Sequence, residues 1–88
     1  MKIGVYSVFD SKAEVFSQPM FMGNRGQAIR SFQDEINRDN KESLLHKHPA
    51  DFSLFEIGFW DNEKGVFENL KAPANLGNGL SFVDPKMD

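Results

Sequence analysis

The chain contains two histidines, and their spacing is the first feature that could support metal or acid–base chemistry. His46 and His48 are two residues apart, and Asp51 is the nearest carboxylate that follows them. A metal site needs three or four oriented ligands, which this segment does not supply by itself. We therefore expect these histidines to fix a loop or lie at the surface, and the sequence predicts no metal and no cofactor.

Serine nucleophiles and paired carboxylates give no recognisable catalytic pattern either. Ser31, Ser43 and Ser53 do not lie in a setting typical of a catalytic serine with its histidine and acid. The 13 acidic residues offer no pair that spacing alone could identify as a glycosidase site. The chain is therefore expected not to be an enzyme.

Basic and aromatic side chains favour a binding function. Five Lys or Arg residues lie between positions 24 and 48, where the net charge is +1, whereas residues 49–88 carry −4. Nine Phe, one Tyr and one Trp are many rings for 88 residues. Proteins that bind single strands combine basic grooves with rings that stack on bases. The rings expected to be available are Tyr6, Phe21 and Trp60.

The segment Gly23–Gly26 precedes a predicted helix and could seat an anion. Free N–H groups at a helix N-terminus attract phosphate, and Arg25 lies beside them. The same Gly-Asn sequence is also ordinary helix capping. Both interpretations remain open from the sequence.

Composition excludes several classes of function. The chain has no cysteine, which excludes disulfides, Cys-ligated zinc and iron–sulfur clusters. A net charge of −3 disfavours a bulk electrostatic binder of nucleic acid or acidic membrane. No apolar run is long enough to span a membrane, and the N-terminal residues lack a signal-peptide core. We expect a protein of the cytoplasm, which binds no membrane.

Alternation and helical periodicity predict the elements that position these residues. Residues 2–9 alternate as a strand, with Ile3, Val5 and Phe9 on one face and Tyr6 and Val8 on the other. Residues 14–22 form a second strand, which Pro19 restricts to a sheet edge or a bulge. The next elements are a helix capped by Asn24 and Gln27 with an apolar stripe, a long strand at 51–60, a turn at 61–65 and a return strand at 66–70.

The predicted fold class is therefore α+β, a single small domain with element order ββαββ. Four antiparallel strands carry one main helix on one face, within residues 1–72, and residues 73–88 form a loosely ordered tail. Leu54 and Trp60 are expected on one sheet face, with Phe55, Ile57 and Phe59 on the other. One helix covers one face, so the second face is left for another subunit or a ligand. We expect a homodimer.

Three spaced motifs resemble a known viral family. An Ala-x-Arg-Ser-Phe helix at 28–32 is followed by Lys-His-Pro-x-Asp-Phe at 47–52 and by an Asp-x-x-x-Gly turn at 61–65. Together they resemble the small nonstructural protein of gokushoviruses, the single-stranded DNA microviruses of bacteria that include chlamydiae. The resemblance covers about residues 2–73.

This resemblance implies a role in phage genome replication within the host cytoplasm. Such proteins are thought to act when synthesis switches to single-stranded progeny DNA for packaging, through contact with DNA or the replication complex. With the basic helix region, this predicts that Arg25, Arg30 and Lys47 meet phosphates while Tyr6 and Trp60 stack on bases. The alternative is a dimeric interaction module that binds a host or phage replication protein through an acidic hairpin, without touching DNA. Its acidic residues would be Glu56, Asp61, Glu63 and Glu68.

Overall fold

One antiparallel sheet and one main helix build the protein, as the sequence predicts. A computed structural model describes residues 1–85. The strands are β1 (Lys2–Asp10), β2 (Val15–Phe16), β3 (Met20–Met22), β4 (Phe52–Asp61) and β5 (Val66–Asn78). The helices are α1 (Arg25–Asn37), α2 (Leu44–Lys47) and two 3₁₀ helices, Pro49–Asp51 and Gly79–Phe82.

The long strands β1 and β4 lie side by side in the middle of the sheet. Strands β2 and β3 both pair with β1 along its outer side, and β5 pairs with β4 at the opposite edge. The predicted second strand is thus divided into β2 and β3 by residues 17–19, which include Pro19. Because proline cannot donate a ladder hydrogen bond, its place at a sheet edge agrees with the prediction.

Helix α1 covers one face of the sheet, which we call the covered face. Its N-terminus is closed by a reciprocal pair of hydrogen bonds: the Gln27 amide donates to Asn24 Oδ1 (2.9 Å), and the Gly23 amide donates to Gln27 Oε1 (3.0 Å). The large side chains buried between the helix and the sheet form one core cluster: Tyr6, Ala28, Phe32, Ile36, Phe52 and Leu54. None of the helices in residues 1–85 combines the length and apolarity that crossing a bilayer requires.

Strand β4 contains one residue more than its partner β1. Val5 pairs with Gly58 and Tyr6 with Glu56, so Ile57 has no partner on β1. This bulge reverses the side-chain alternation along β4. Leu54 lies in the core under α1, whereas Trp60 contacts Ile3 on the opposite face. The expectation that Leu54 and Trp60 share a face is therefore wrong.

The return strand is much longer than the sequence predicts. Residues 70–73 leave β4 as an unpaired excursion, after which Ala74 pairs with Glu56 and Asn78 with Ser53. Pro73 lies in this excursion, where its missing N–H costs no ladder bond. The Phe82 ring then packs edge-on against Phe32, with ring centroids 5.7 Å apart. A loosely ordered tail is thus wrong for residues 73–82, and residues 86–88 of that predicted tail lie outside the described residues.

Candidate functional site

The side of the sheet opposite α1, which we call the open face, is the candidate functional surface. Alternation along β1 directs Tyr6 and Val8 into the core and leaves Ile3 and Phe9 outside it. These side chains belong to two groups of rings on the open face.

The first group, the Trp60 cluster, consists of Ile3, Phe21, Trp60 and Phe67. These four side chains line one shallow apolar depression of about 370 Å³. The ring centroids of Trp60 and Phe67 are 4.8 Å apart, and those of Phe21 and Phe67 are 6.3 Å apart. Phe21 and Phe67 come from opposite sheet edges, so side chains from both edges converge over the central strands. Phe21 and Phe67 remain about half exposed, at 52% and 56%.

The second group, the Phe55 cluster, consists of Phe9, Phe16 and Phe55. The Phe16 centroid is 4.8 Å from that of Phe9 and 5.3 Å from that of Phe55. Phe16 belongs to β2 and is 46% exposed. All three exposed phenylalanines of the described chain, Phe16, Phe21 and Phe67, therefore lie in the two clusters of the open face.

Tyr6 lies on the opposite side from these clusters. It is only 1% exposed and belongs to the core under α1. Burial, followed by the nearby Glu56 carboxylate, raises the pKa of Tyr6. The expectation that Tyr6 stacks on bases is wrong, because its ring is enclosed by the core.

Arg25 is held by an ion pair that crosses from α1 to β4. Its Nε lies 3.1 and 3.0 Å from the two carboxylate oxygens of Glu56, and Nη2 donates to Oε1 at 2.8 Å. Glu56 is 1% exposed, so this pair neutralises a charge within the core. The hydrogen bonds and charge of Glu56 raise the pKa of Arg25. Two guanidinium nitrogens thus bind Glu56, while the Arg25 side chain itself remains 61% exposed. The predicted phosphate contact of Arg25 stays a prediction.

Arg30 and Lys47 are exposed on the helical side of the molecule. Arg30 lies on α1 and borders a groove with Arg38, Asp34 and Glu35, while Lys47 ends α2. Neither forms an ion pair with another residue in positions 1–85. The structure places these cations with the helices and Trp60 on the open face. The five residues predicted to form one nucleic-acid site are not brought together.

The acidic hairpin is also only partly available. Glu56 is occupied by Arg25, and Asp61 is buried in the turn, where its Oδ1 accepts from the amides of Glu63 (3.0 Å) and Lys64 (3.2 Å). The Glu63 amide is the largest cause that lowers the pKa of Asp61. Glu63 and Glu68 remain at the surface.

His46 has a structural contact. Its Nδ1 donates to the Ile36 carbonyl (2.9 Å), which fastens α2 to the end of α1, in line with the predicted loop-fixing role. Residues 1–85 contain no group of three metal-ligating side chains close enough to hold an ion. At the predicted anion seat, the reciprocal bonds of Asn24 and Gln27 already use part of the helix N-terminus.

Comparison with known proteins identifies the family. A family model described as Phage ORF5 protein matches residues 3–82. The chain belongs to the Phage ORF5 family. It is also 33% identical over 74 residues to Protein ORF5 of Chlamydia phage 1, which covers 82% of this chain and 77% of that protein. The resemblance to a small gokushovirus protein is therefore confirmed. No solved structure is significantly similar to the chain.

Sequence reasoning missed two features of this ORF5-family protein. The Arg25–Glu56 pair joins residues 31 positions apart, and no local pattern indicates it. The Ile57 bulge did have an indication in the sequence, because a glycine inside a strand is typical of bulges, and Gly58 follows it. A Cβ atom at Gly58 would overlap the Glu68 carbonyl oxygen on β5, so glycine is also required there by close packing.

Proposed function

We propose that this protein is a non-enzymatic factor of viral genome replication in the host cytoplasm. It acts in the switch to single-stranded DNA synthesis and packaging, through protein contacts within the replication complex. Family membership makes it a phage protein, and the replication role is what the gokushovirus resemblance implies. The open face supports a binding function, since the side chains gathered there are apolar rings with no reactive group.

The observation that carries the proposal is the separation of the rings from Arg30 and Lys47, the two exposed cations that the sequence predicts to contact phosphates and that form no ion pair within residues 1–85. A DNA-stacking surface needs basic groups beside its rings to hold the phosphates. The Trp60 cluster contains no basic side chain, while Arg30 and Lys47 lie with the helices. A surface rich in aromatic side chains and poor in charge is typical of the core of a protein–protein interface. The open face therefore suits a protein partner better than a nucleic acid.

The test is a titration of the protein with a single strand of about 20 nucleotides at about 50 and 200 mM salt. Trp60 is the single tryptophan of the chain, so its fluorescence reports on the open face alone. We expect no saturable quenching at either salt concentration. Saturable quenching that weakens with salt, and that is lost in Phe67→Ala but kept in Phe16→Ala, would overturn the proposal.

Direct contact with single-stranded DNA is the second candidate function. Exposed rings on a sheet surface are the platform on which bases stack in several single-strand binders, and Phe21 and Phe67 flank Trp60 in this way. If DNA binds, Arg30→Ala and Lys47→Ala test the predicted phosphate contacts. Each should weaken binding and make the affinity depend less on salt concentration. A variant with unchanged affinity and unchanged salt dependence would show that its residue is not part of the site.

A further inference from the structure

The open face is an aromatic surface of the sheet that no element within residues 1–85 covers. We infer that a second copy of this chain covers it, in a face-to-face dimer with two-fold symmetry. This inference rests on the proposed function in one respect, that the open face binds protein. It adds the identity of the partner at that surface.

The size of the face matches what a stable dimer needs. Strands β1 and β4 contain 9 and 10 residues, so at about 3.3 Å per residue the sheet is about 30 Å long, and four strands at about 4.8 Å make it about 19 Å wide. Length times width gives a flat area of about 600 Å², and the side chains that protrude from the sheet add to the accessible surface. Each partner in a standard-sized interface buries roughly 800 Å² of accessible surface. The whole face, rather than one cluster alone, reaches this range.

The distribution of charge is compatible with a copy of the same chain as the partner. In a two-fold interface each residue near the axis meets the same surface of the other copy, so charges of one sign would repel. Strands β1 and β4 contain four charged residues, and the alternation and the Ile57 bulge place all of them away from the open face: Lys2, Asp10, Glu56 and Asp61. The central strands therefore present a surface without charge, which can meet itself without repulsion.

The open face is also uneven in height, with protruding rings at two ends and a lower region between them. The Phe55 cluster and the Trp60 cluster lie toward opposite ends of β1, while Val5 and Ser7 between them are buried. Gly58, opposite Val5, has no side chain. The rings at the two ends thus provide two contact regions in each copy, and Phe16 and Phe67 are their most accessible members to substitute.

The experiment is sedimentation or light scattering of the intact protein from about 1 to 100 µM, with three variants. Phe16→Asp and Phe67→Asp each place a charge in one cluster, and Leu80→Asp places the same charge at an exposed position in the second 3₁₀ helix. We expect the wild type and Leu80→Asp to have twice the chain mass. Each of the other two should raise the dimer dissociation constant at least about 30-fold, the effect of an interface hot spot.

Circular dichroism must show that all variants keep the wild-type spectrum, so that loss of the dimer is not loss of folding. A second readout is the emission of Trp60, which should shift to longer wavelength when the wild type is diluted below its dissociation constant. A wild type that is monomeric at every concentration overturns the dimer. A dimer that survives both cluster variants unchanged overturns the assignment to this face.

These outcomes separate the dimer from the proposed function. A monomer whose Trp60 fluorescence is not quenched by the oligonucleotide leaves the open face as a surface for a different protein, and only the dimer fails. Saturable, salt-dependent quenching by DNA overturns the proposed function whatever the mass of the protein.

Discussion

The two faces of the sheet are both rich in large apolar side chains, but they differ in charge and in cover. The covered face contains the core under α1 together with every charged residue of β1 and β4, and its most deeply buried charge, Glu56, is neutralised by Arg25. The open face has no charge on its central strands and no covering element among residues 1–85. The solvent-exposed face of an antiparallel sheet normally carries polar side chains. This difference between the faces is the reason for our proposal that the open face is a contact surface.

Truncation of one phenylalanine on each face should give the largest difference between the two faces in their contribution to the free energy of unfolding. Phe32→Ala removes a ring that is 4% exposed and packs on Phe82, and we expect a loss of about 3–5 kcal/mol in the free energy of unfolding. Phe67→Ala removes a ring that is 56% exposed, and in monomeric protein we expect a change below about 1 kcal/mol. Urea unfolding at low protein concentration measures both. Equal losses would mean that the open face is part of the monomer's own core.

The buried ion pair should give the next largest effect. Glu56→Gln keeps the size of the side chain but replaces the charge-assisted bonds to Arg25, and we expect a loss of about 1–3 kcal/mol. Arg30→Ala is the control, because Arg30 is an exposed arginine on α1, the helix that also carries Arg25. It should leave the urea midpoint nearly unchanged. If the two variants unfold at the same midpoint, the pair contributes nothing to the stability of the covered face.

The single tyrosine lies on the covered face and the single tryptophan on the open face, so each reports on one face without any mutation. Because burial raises the pKa of Tyr6, its folded state favours the neutral phenol. The associated stability is complete below the ordinary pKa of about 10 and is lost as the pH rises through the raised value. Tyrosinate absorbance should therefore appear only above that ordinary range, together with unfolding. Titration at the ordinary pKa in folded protein would contradict the burial of Tyr6.

Acid should produce a smaller effect at the turn between β4 and β5. Amide hydrogen bonds from Glu63 and Lys64 lower the pKa of Asp61, so its carboxylate stabilises the fold above the ordinary pKa of about 3.9. This contribution is lost as the pH falls through the lowered value. Asp61→Ala should therefore be less stable than the wild type at neutral pH and nearly equal to it in strong acid. A difference between the two proteins that does not change with pH would show that the charge is not involved.

Local patterns predicted the fold well, and tertiary contacts account for the errors. The alternation of Ile3, Val5 and Phe9 against Tyr6 and Val8 assigned the faces of β1 correctly, and Asn24 with Gln27 marked the start of α1. The same alternation failed on β4, because one extra residue reverses it and the pattern of side chains does not record the register of the partner strand.

The candidate site was less predictable than the fold. The sequence shows which residues are aromatic or basic, but the distance between Trp60 and the cations depends on how the sheet and helix pack. Tyr6 illustrates the limit, since a tyrosine in an alternating strand suits either a core or a binding surface. Arg25 illustrates it again, because its partner Glu56 lies on a strand 31 residues further along the chain.

The unpaired excursion at residues 70–73 should allow β5 to accept insertions and deletions. The chain pairs with β4 on both sides of it, with one further irregularity at Leu76, and residues 71–73 are exposed. Chain length can therefore change at this point without moving either half of the strand out of register. Relatives with insertions or deletions here should keep the same sheet. A peptide tag or a fluorescent label placed between Ala72 and Pro73 would also provide a handle on the molecule that leaves both faces intact.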